Sequence, residues 1–154
     1  MPENKTELER FNNEKGGKIL TFLSDGKIFA FDVFSVADIT PIPPITKIPR
    51  TPDYLSGVIN HHGKAVPVMD LRKRIGFPDY EYTPKSCVII VEINSMQIGF
   101  TVDEVLHVSD VTPEKIIPSP ATGGIVQSYI QLEDERVSLL NSEKMVRTQK
   151  GLKL

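Results

Sequence analysis

An all-β fold, either a sandwich or a set of small barrels, is what this sequence predicts, and two observations lead to it. Short runs of alternating apolar and polar residues recur along the chain, and each pair is joined by a turn signal. The chain also repeats itself. The block Gly57–Leu71, G-V-I-N-H-H-G-K-A-V-P-V-M-D-L, aligns without a gap on S-Y-I-Q-L-E-D-E-R-V-S-L-L-N-S from Ser128, so that Ile59 faces Ile130, Val66 faces Val137, Val68 faces Leu139 and Asp70 faces Asn141. Upstream, a shift of 69 positions sets Phe31, Val33, Val36 and Ile39 against Phe100, Val102, Val105 and Val108, with Ala30 against Gly99. Repetition of a whole supersecondary pattern points to a duplicated architecture. The halves run roughly 18–83 and 84–146. No catalytic group occupies equivalent places in both copies, which favours a scaffold over an enzyme.

Residues 1–17 are polar, with no apolar stretch of signal-peptide type, and read as a mobile tail; 148–154 read as a second tail. Lys18–Leu23 and Lys27–Val33 flank Ser24-Asp25-Gly26, a hairpin signal because Gly accepts the positive φ of the turn. Val58–Asn60 and Ala65–Met69 flank His61-His62-Gly63-Lys64. Cys87–Ile93 and Met96–Val102 flank Asn94-Ser95. Ile125–Leu132 and Arg136–Leu140 flank Glu133-Asp134-Glu135. Cys87–Val91 is apolar on both faces and belongs in the middle of a sheet. Helices are few. Asp70 caps Leu71–Ile75 and Gly76 closes it; Thr112-Pro113 starts a short turn; Asn141 or Ser142 caps Glu143–Gln149.

Five of the twelve prolines fall between Asp38 and Pro52. Ile39, Ile42, Ile45 and Ile48 recur there at the three-residue polyproline II period. Proline cannot donate to a ladder, so this segment is an edge or a surface connection. Its isoleucines either cover the core or offer an apolar edge to a partner.

The 154 residues are 40% hydrophobic and carry a net charge of −2, so they can form one domain, or two small units sharing a core. The acidic balance (pI near 5.9) and the lack of Trp argue against a nucleic-acid binder. One cysteine, Cys87, allows no internal disulfide and fits a reducing cytosol. No apolar run approaches the ~20 residues that span a bilayer, so no direct membrane insertion is expected.

The search for chemistry leaves little. His61 and His62 are adjacent, and neighbours on a strand point to opposite faces, so no shared metal and no cofactor is expected. His107 has no partner at ligand spacing. A Cys87–histidine pair is the one enzyme reading that spacing permits, against the usual inertness of a buried cysteine. Arg72-Lys73-Arg74 and Asp103-Glu104 read as solvated charge.

The block P-D-Y-L-S-G-V-I-N-H-H-G-K-A-V-P-V-M-D-L-R-K-R-I-G (Pro52–Gly76) resembles the central signature of the CheW family of chemotaxis coupling proteins. Ile19–Phe22, Val36–Ile39, Ile45–Pro49, Ile98–Val105 and Ser138–Asn141 extend the resemblance over about 130 residues, placing one CheW-like domain at 18–147. The resemblance implies two five-stranded SH3-like barrels sharing a hydrophobic core. It implies a cytoplasmic, non-enzymatic adaptor, recruited to membrane-associated arrays, that joins the tips of methyl-accepting chemoreceptors to the regulatory domain of the histidine kinase CheA. Head-to-tail contacts, including ring-type self-association, are part of that expectation. A related expectation is a paralogue coupling a chemosensory-type array to another output, such as surface motility.

Carried over by motif, the receptor-facing set is Val36, Asp38, Ile39, Gly57, Val58, Asn60, Cys87 and Val88, in a groove between the barrels. The kinase-facing set is Thr40, Ile42, Pro43 and Ile45 on the proline-rich edge. One departure matters. The family usually has Leu-Arg where this chain has His61-His62, and often Glu where it has Asp38. The matching ion pair, Asp38 with His62, forms only when the imidazole is protonated, near pH ~6.5 and below.

Overall fold

The computed structural model describes residues 10–78, 81–120 and 124–146. Eleven strands among them form two sheets: β1 (Gly17–Ser24), β2 (Lys27–Asp32), β3 (Val36–Pro41), β4 (Leu55–His61), β5 (Lys64–Asp70), β6 (Cys87–Ile93), β7 (Met96–Val102), β8 (Glu104–Val111), β9 (Ile116–Pro118), β10 (Val126–Leu132) and β11 (Glu135–Leu140). Two short helices, α1 (Leu71–Ile75) and α2 (Ser142–Met145), follow β5 and β11.

The first sheet runs β8-β1-β2-β11-β10-β9 and the second β3-β6-β7-β5-β4. Each sheet takes strands from both halves of the chain. The first half's opening hairpin, β1–β2, sits in the sheet otherwise built by the second half, and β6–β7 sits in the other. The boundary expected near residues 83 and 84 is therefore no spatial boundary. The halves exchange hairpins, because strands that are apolar on both faces must be central, and the exchange puts each between neighbours on either side.

The duplication holds strand by strand. In the second sheet β3 pairs β6 with Ile39 opposite Ile89; in the first β8 pairs β1 with Val108 opposite Leu20. Both pairings slip at equivalent places, between Val36 and Asp38 and between Thr21 and Phe22. The hairpins β4–β5 and β10–β11 slip at Leu55/Gly57 and Val126/Ser128. The parallel contacts set Val68 against Gly99 and Leu139 against Ala30. Each contact has a small residue against a large one, and at Gly99 there is no room for more: a Cβ there would lie 2.6 Å from Val88 Cγ1. Bulges at matched positions are a built feature of such sheets, bending each into a barrel. The caps repeat as well, with Asp70 accepting from Lys73 N–H and Asn141 from Lys144 N–H.

The core has three parts. Ile59, Val66, Val68, Val88 and Ile90 fill one barrel. Ile19, Ala30, Ile130, Val137 and Leu139 fill the other. Between them Leu20, Phe22 and Phe31 of the first sheet pack on Ile89, Val91 and Phe100 of the second, with the Phe31 and Phe100 rings 5.3 Å apart. That explains the doubly apolar β6: Val88 and Ile90 fill a barrel while Ile89 and Val91 fill the shared core.

Three expectations need correction. The tail ends earlier than residue 17, because Phe11 is buried in the first barrel and its N–H donates to Asp32 Oδ2 at 3.1 Å. The first sheet has a sixth strand, β9. The basic run on α1 is structural: Arg72 Nη2 lies 3.2 Å from Asp25 and 3.4 Å from Asp103, and Arg74 Nε donates to Met145 O at 2.7 Å. Asp103 is likewise a tie, its Oδ2 accepting from Asp25 N–H at 2.9 Å.

Candidate functional site

Among the described residues, several of the expected contact residues gather on β3 and on the hairpin turn that faces it. β3 is the outer strand of the second sheet. Its residues alternate in exposure, with Ala37, Ile39 and Pro41 outward and Val36, Asp38 and Thr40 half-covered. Upstream, Val36 and Ala37 border an open groove of about 690 Å³ that also takes in Asp32, Phe34, Glu92 and Asn141, so it runs between the two sheets. Asp38 borders a smaller cavity of about 250 Å³ with His61, His62, Lys64 and Gln97. Downstream the strand runs into the prolines, and Thr46 then pairs with Val58 of β4 at N···O distances of 2.9 Å in both directions. That bridge brings the two edges of the sheet together and closes the barrel.

Gly57 makes this closure possible. It has φ +145°, and a Cβ there would sit 2.2 Å from Thr46 O. The close approach that Gly57 permits is thus to its own chain. Val88 is also interior, fully buried in the second barrel. Val58 is half-buried on β4, and Asn60 is exposed, its Oδ1 accepting from Gly63 N–H at 3.0 Å. Cys87 is half-buried on β6 opposite Pro41. Burial pushes its thiol up from the ordinary value, the opposite direction to an activated nucleophile. Of the receptor-facing set, the structure therefore brings Val36, Asp38 and Ile39 together on one strand, and leaves Gly57 and Val88 inside. In the kinase-facing set, Ile42 and Ile45 lean partly on the barrel core, Thr40 is half-covered on β3, and Ile48 just beyond stays exposed.

The side-chain contact of Asp38 is with a different histidine from the one expected. His61 Nε2, not a His62 nitrogen, lies 2.9 Å from Asp38 Oδ2. His61 ends β4 on the side that faces β3, and its side chain is 13% exposed against 43% for Asp38. His62 occupies the turn with φ +53°, followed by Gly63 at φ +81°. Two positive φ values in a two-residue loop are the type I′ pattern. The turn breaks the strand alternation, so the neighbouring rings do not point apart: they stack 4.1 Å apart at 17°. Asp38 Oδ1 accepts from Ile39 N–H at 2.8 Å. That backbone bond first, and the His61 contact after it, hold the carboxyl below its ordinary range.

Comparisons with known proteins agree on one family. The family profile described as the CheW-like domain matches residues 18–150. The chain is 29% identical over 136 residues to the chemotaxis protein CheW of Bacillus subtilis (strain 168), covering 85% of this chain and 87% of that one. It is 29% identical over 112 residues to Protein FrzA of Myxococcus xanthus, covering 68% of this chain and 69% of that one. Among solved structures, the scaffolding protein TtCheW of Thermoanaerobacter tengcongensis superposes with a TM-score of 0.84 at 30% identity, covering 91% of this chain and 97% of that one.

Proposed function

The chain belongs to the CheW-like family of chemotaxis scaffolding proteins, with its two SH3-like barrels, and from that premise we propose that it is a non-enzymatic adaptor coupling methyl-accepting chemoreceptors to a CheA-type histidine kinase. The observation that carries the proposal is β3. One edge strand borders the inter-sheet groove at Val36 and Ala37, presents Asp38 and Ile39 beside it, and passes into the proline-rich segment at Thr40 and Pro41. A groove suits a helical receptor tip, and an edge strand suits head-to-tail pairing with a domain of like fold. The receptor contacts are Val36, Asp38 and Ile39, with Val58, Asn60 and Cys87 alongside and Gly57 and Val88 supporting from within. The kinase contacts are Thr40, Ile42, Pro43 and Ile45. Adjacency on one strand makes coupling physical: a partner that shifts β3 alters the other partner's surface, favouring one arrangement of the array over another. Among the described residues no helix is long and apolar enough to cross a membrane. Recruitment from the cytoplasm to the array through protein contacts suits this.

Calorimetry with separate receptor-tip and kinase regulatory-domain fragments tests the division. Val36→Asp weakens receptor binding roughly tenfold or more and leaves kinase binding intact, while Thr40→Lys does the reverse. Equal losses on both partners from either variant overturn it. The similarity to Protein FrzA favours a second reading, coupling within a chemosensory-type array of different output. Deleting the coding gene and scoring swimming against surface motility separates the two.

A further inference from the structure

We propose that Asp38, His61 and His62 form a binding site for a divalent late transition metal ion, of the class of Zn²⁺, Ni²⁺ or Co²⁺, that staples the barrel's edge strand to its hairpin turn. One ligand atom from each residue lies within 4.8 Å of the other two. Tetrahedral ligands at ~2.0–2.1 Å from zinc stand about 3.4 Å apart. The 2.9 Å between His61 Nε2 and Asp38 Oδ2 is about 0.5 Å short of that separation, so the two side chains need only part slightly to admit the ion. The remaining closure falls to the exposed His62, whose ring rests against that of His61 and can turn about its side-chain bonds.

The donor set decides the class of ion. Two imidazoles and one carboxylate are a borderline nitrogen-rich set, whereas Ca²⁺ and Mg²⁺ prefer an all-oxygen shell of six or more ligands. Lys64 borders the same cavity and repels ions held by charge alone. Asp38 is prepared for the task, since Ile39 N–H anchors Oδ1 and leaves Oδ2 aimed at His61. On binding, the ion takes the place of the hydrogen bond between His61 Nε2 and Asp38 Oδ2, and because imidazole ligates only in its neutral form, binding weakens in acid. The matching positions in the other barrel are His107, Leu132 and Glu133, with two potential donors at most besides the leucine, so the site belongs to one barrel only.

The test is titration of the full chain, free of any affinity tag, with Co²⁺ followed by its visible absorption and with Zn²⁺ by calorimetry. One equivalent binds. His62→Asn, which keeps a residue tolerant of positive φ in the turn, and His61→Leu, which copies the other barrel, each lower the affinity roughly tenfold or more. His107→Ala leaves it unchanged, and the metal-free melting point of His62→Asn matches that of the unaltered chain. Absence of one-equivalent binding, survival of full affinity in His62→Asn, or loss of it in His107→Ala overturns the proposal. Since no receptor or kinase is present, the result is independent of the adaptor reading.

Discussion

The two barrels share strand order, bulges and caps, yet they close differently. The barrel built on β10 and β11 closes with a three-residue strand, Ser128, Tyr129 and Ile130 pairing with Pro118, Ile117 and Ile116. The barrel built on β4 and β5 keeps only the middle pair, Thr46 with Val58. At the shared bulge position one barrel has a buried Ser128 and the other Gly57, with positive φ. Beside the closure one has His107 and Leu132, the other the Asp38–His61 pair. A duplicated frame thus keeps its packing rules in both copies while a single copy gives up ladder bonds for an open edge. The teaching is that chemistry can diverge at a barrel's seam while the core residues stay equivalent.

The largest effect is expected where the barrels are alike. Phe31→Ala and Phe100→Ala remove equivalent rings from the shared core, and each lowers unfolding free energy by ~3–5 kcal/mol in urea denaturation. A large difference between the two breaks the equivalence. Next comes the seam: Gly57→Ala costs about 3 kcal/mol, combining positive-φ strain with the clash on Thr46 O, whereas Ser128→Ala costs ~1 kcal/mol. Equal costs mean that the seams do not differ. Arg72→Ala, which leaves Asp25 and Asp103 facing each other, costs ~1–3 kcal/mol, and a single cooperative transition turns into two if α1 is what holds the barrels together.

The smallest effects are two carboxyl titrations of opposite sign. Burial raises the Asp32 carboxyl above 3.8 in spite of the N–H groups of Phe34 and Phe11. Its native form holds a proton more tightly than the unfolded one, so this group adds stability as pH falls from the raised value to 3.8. The Asp38 carboxyl is lowered, chiefly by Ile39 N–H; its increment is present above pH 3.8 and disappears as pH falls through the lowered value. Carbon-detected NMR titration of the side-chain carboxyls places Asp32 above Asp38, and the reverse order contradicts the environments described.

Much of the frame was legible because period-2 alternation and turn residues act locally. Asp25-Gly26, His62-Gly63 and Asn94-Ser95 turn the chain where their positive φ values allow it. The ungapped match of Gly57 onward with Ser128 onward gave the second hairpin and both caps. The hairpin exchange was not legible, because alternation fixes which face a residue takes and says nothing of which sheet receives it. The buried Phe11 was hidden by its polar neighbours, although a lone aromatic in a polar segment was a signal to weigh. At the site, the prolines from Pro41 onward mark an edge or a surface connection, and β3, which runs into them, is an outer strand of its sheet. Strand alternation puts the two imidazoles on opposite faces, but it stops applying at the first turn residue; the family resemblance pairs Asp38 with His62, whereas His61, the last residue of β4, makes the contact.

The central claim is a bridge, and co-sedimentation tests it directly. Receptor-tip assemblies in membrane discs are spun with the kinase regulatory domain, with and without the purified chain. The adaptor account predicts that the kinase domain pellets with the receptor only when the chain is added, and that Val36→Asp abolishes the pelleting while the variant still binds kinase in solution. Kinase recovery that does not depend on the chain contradicts it.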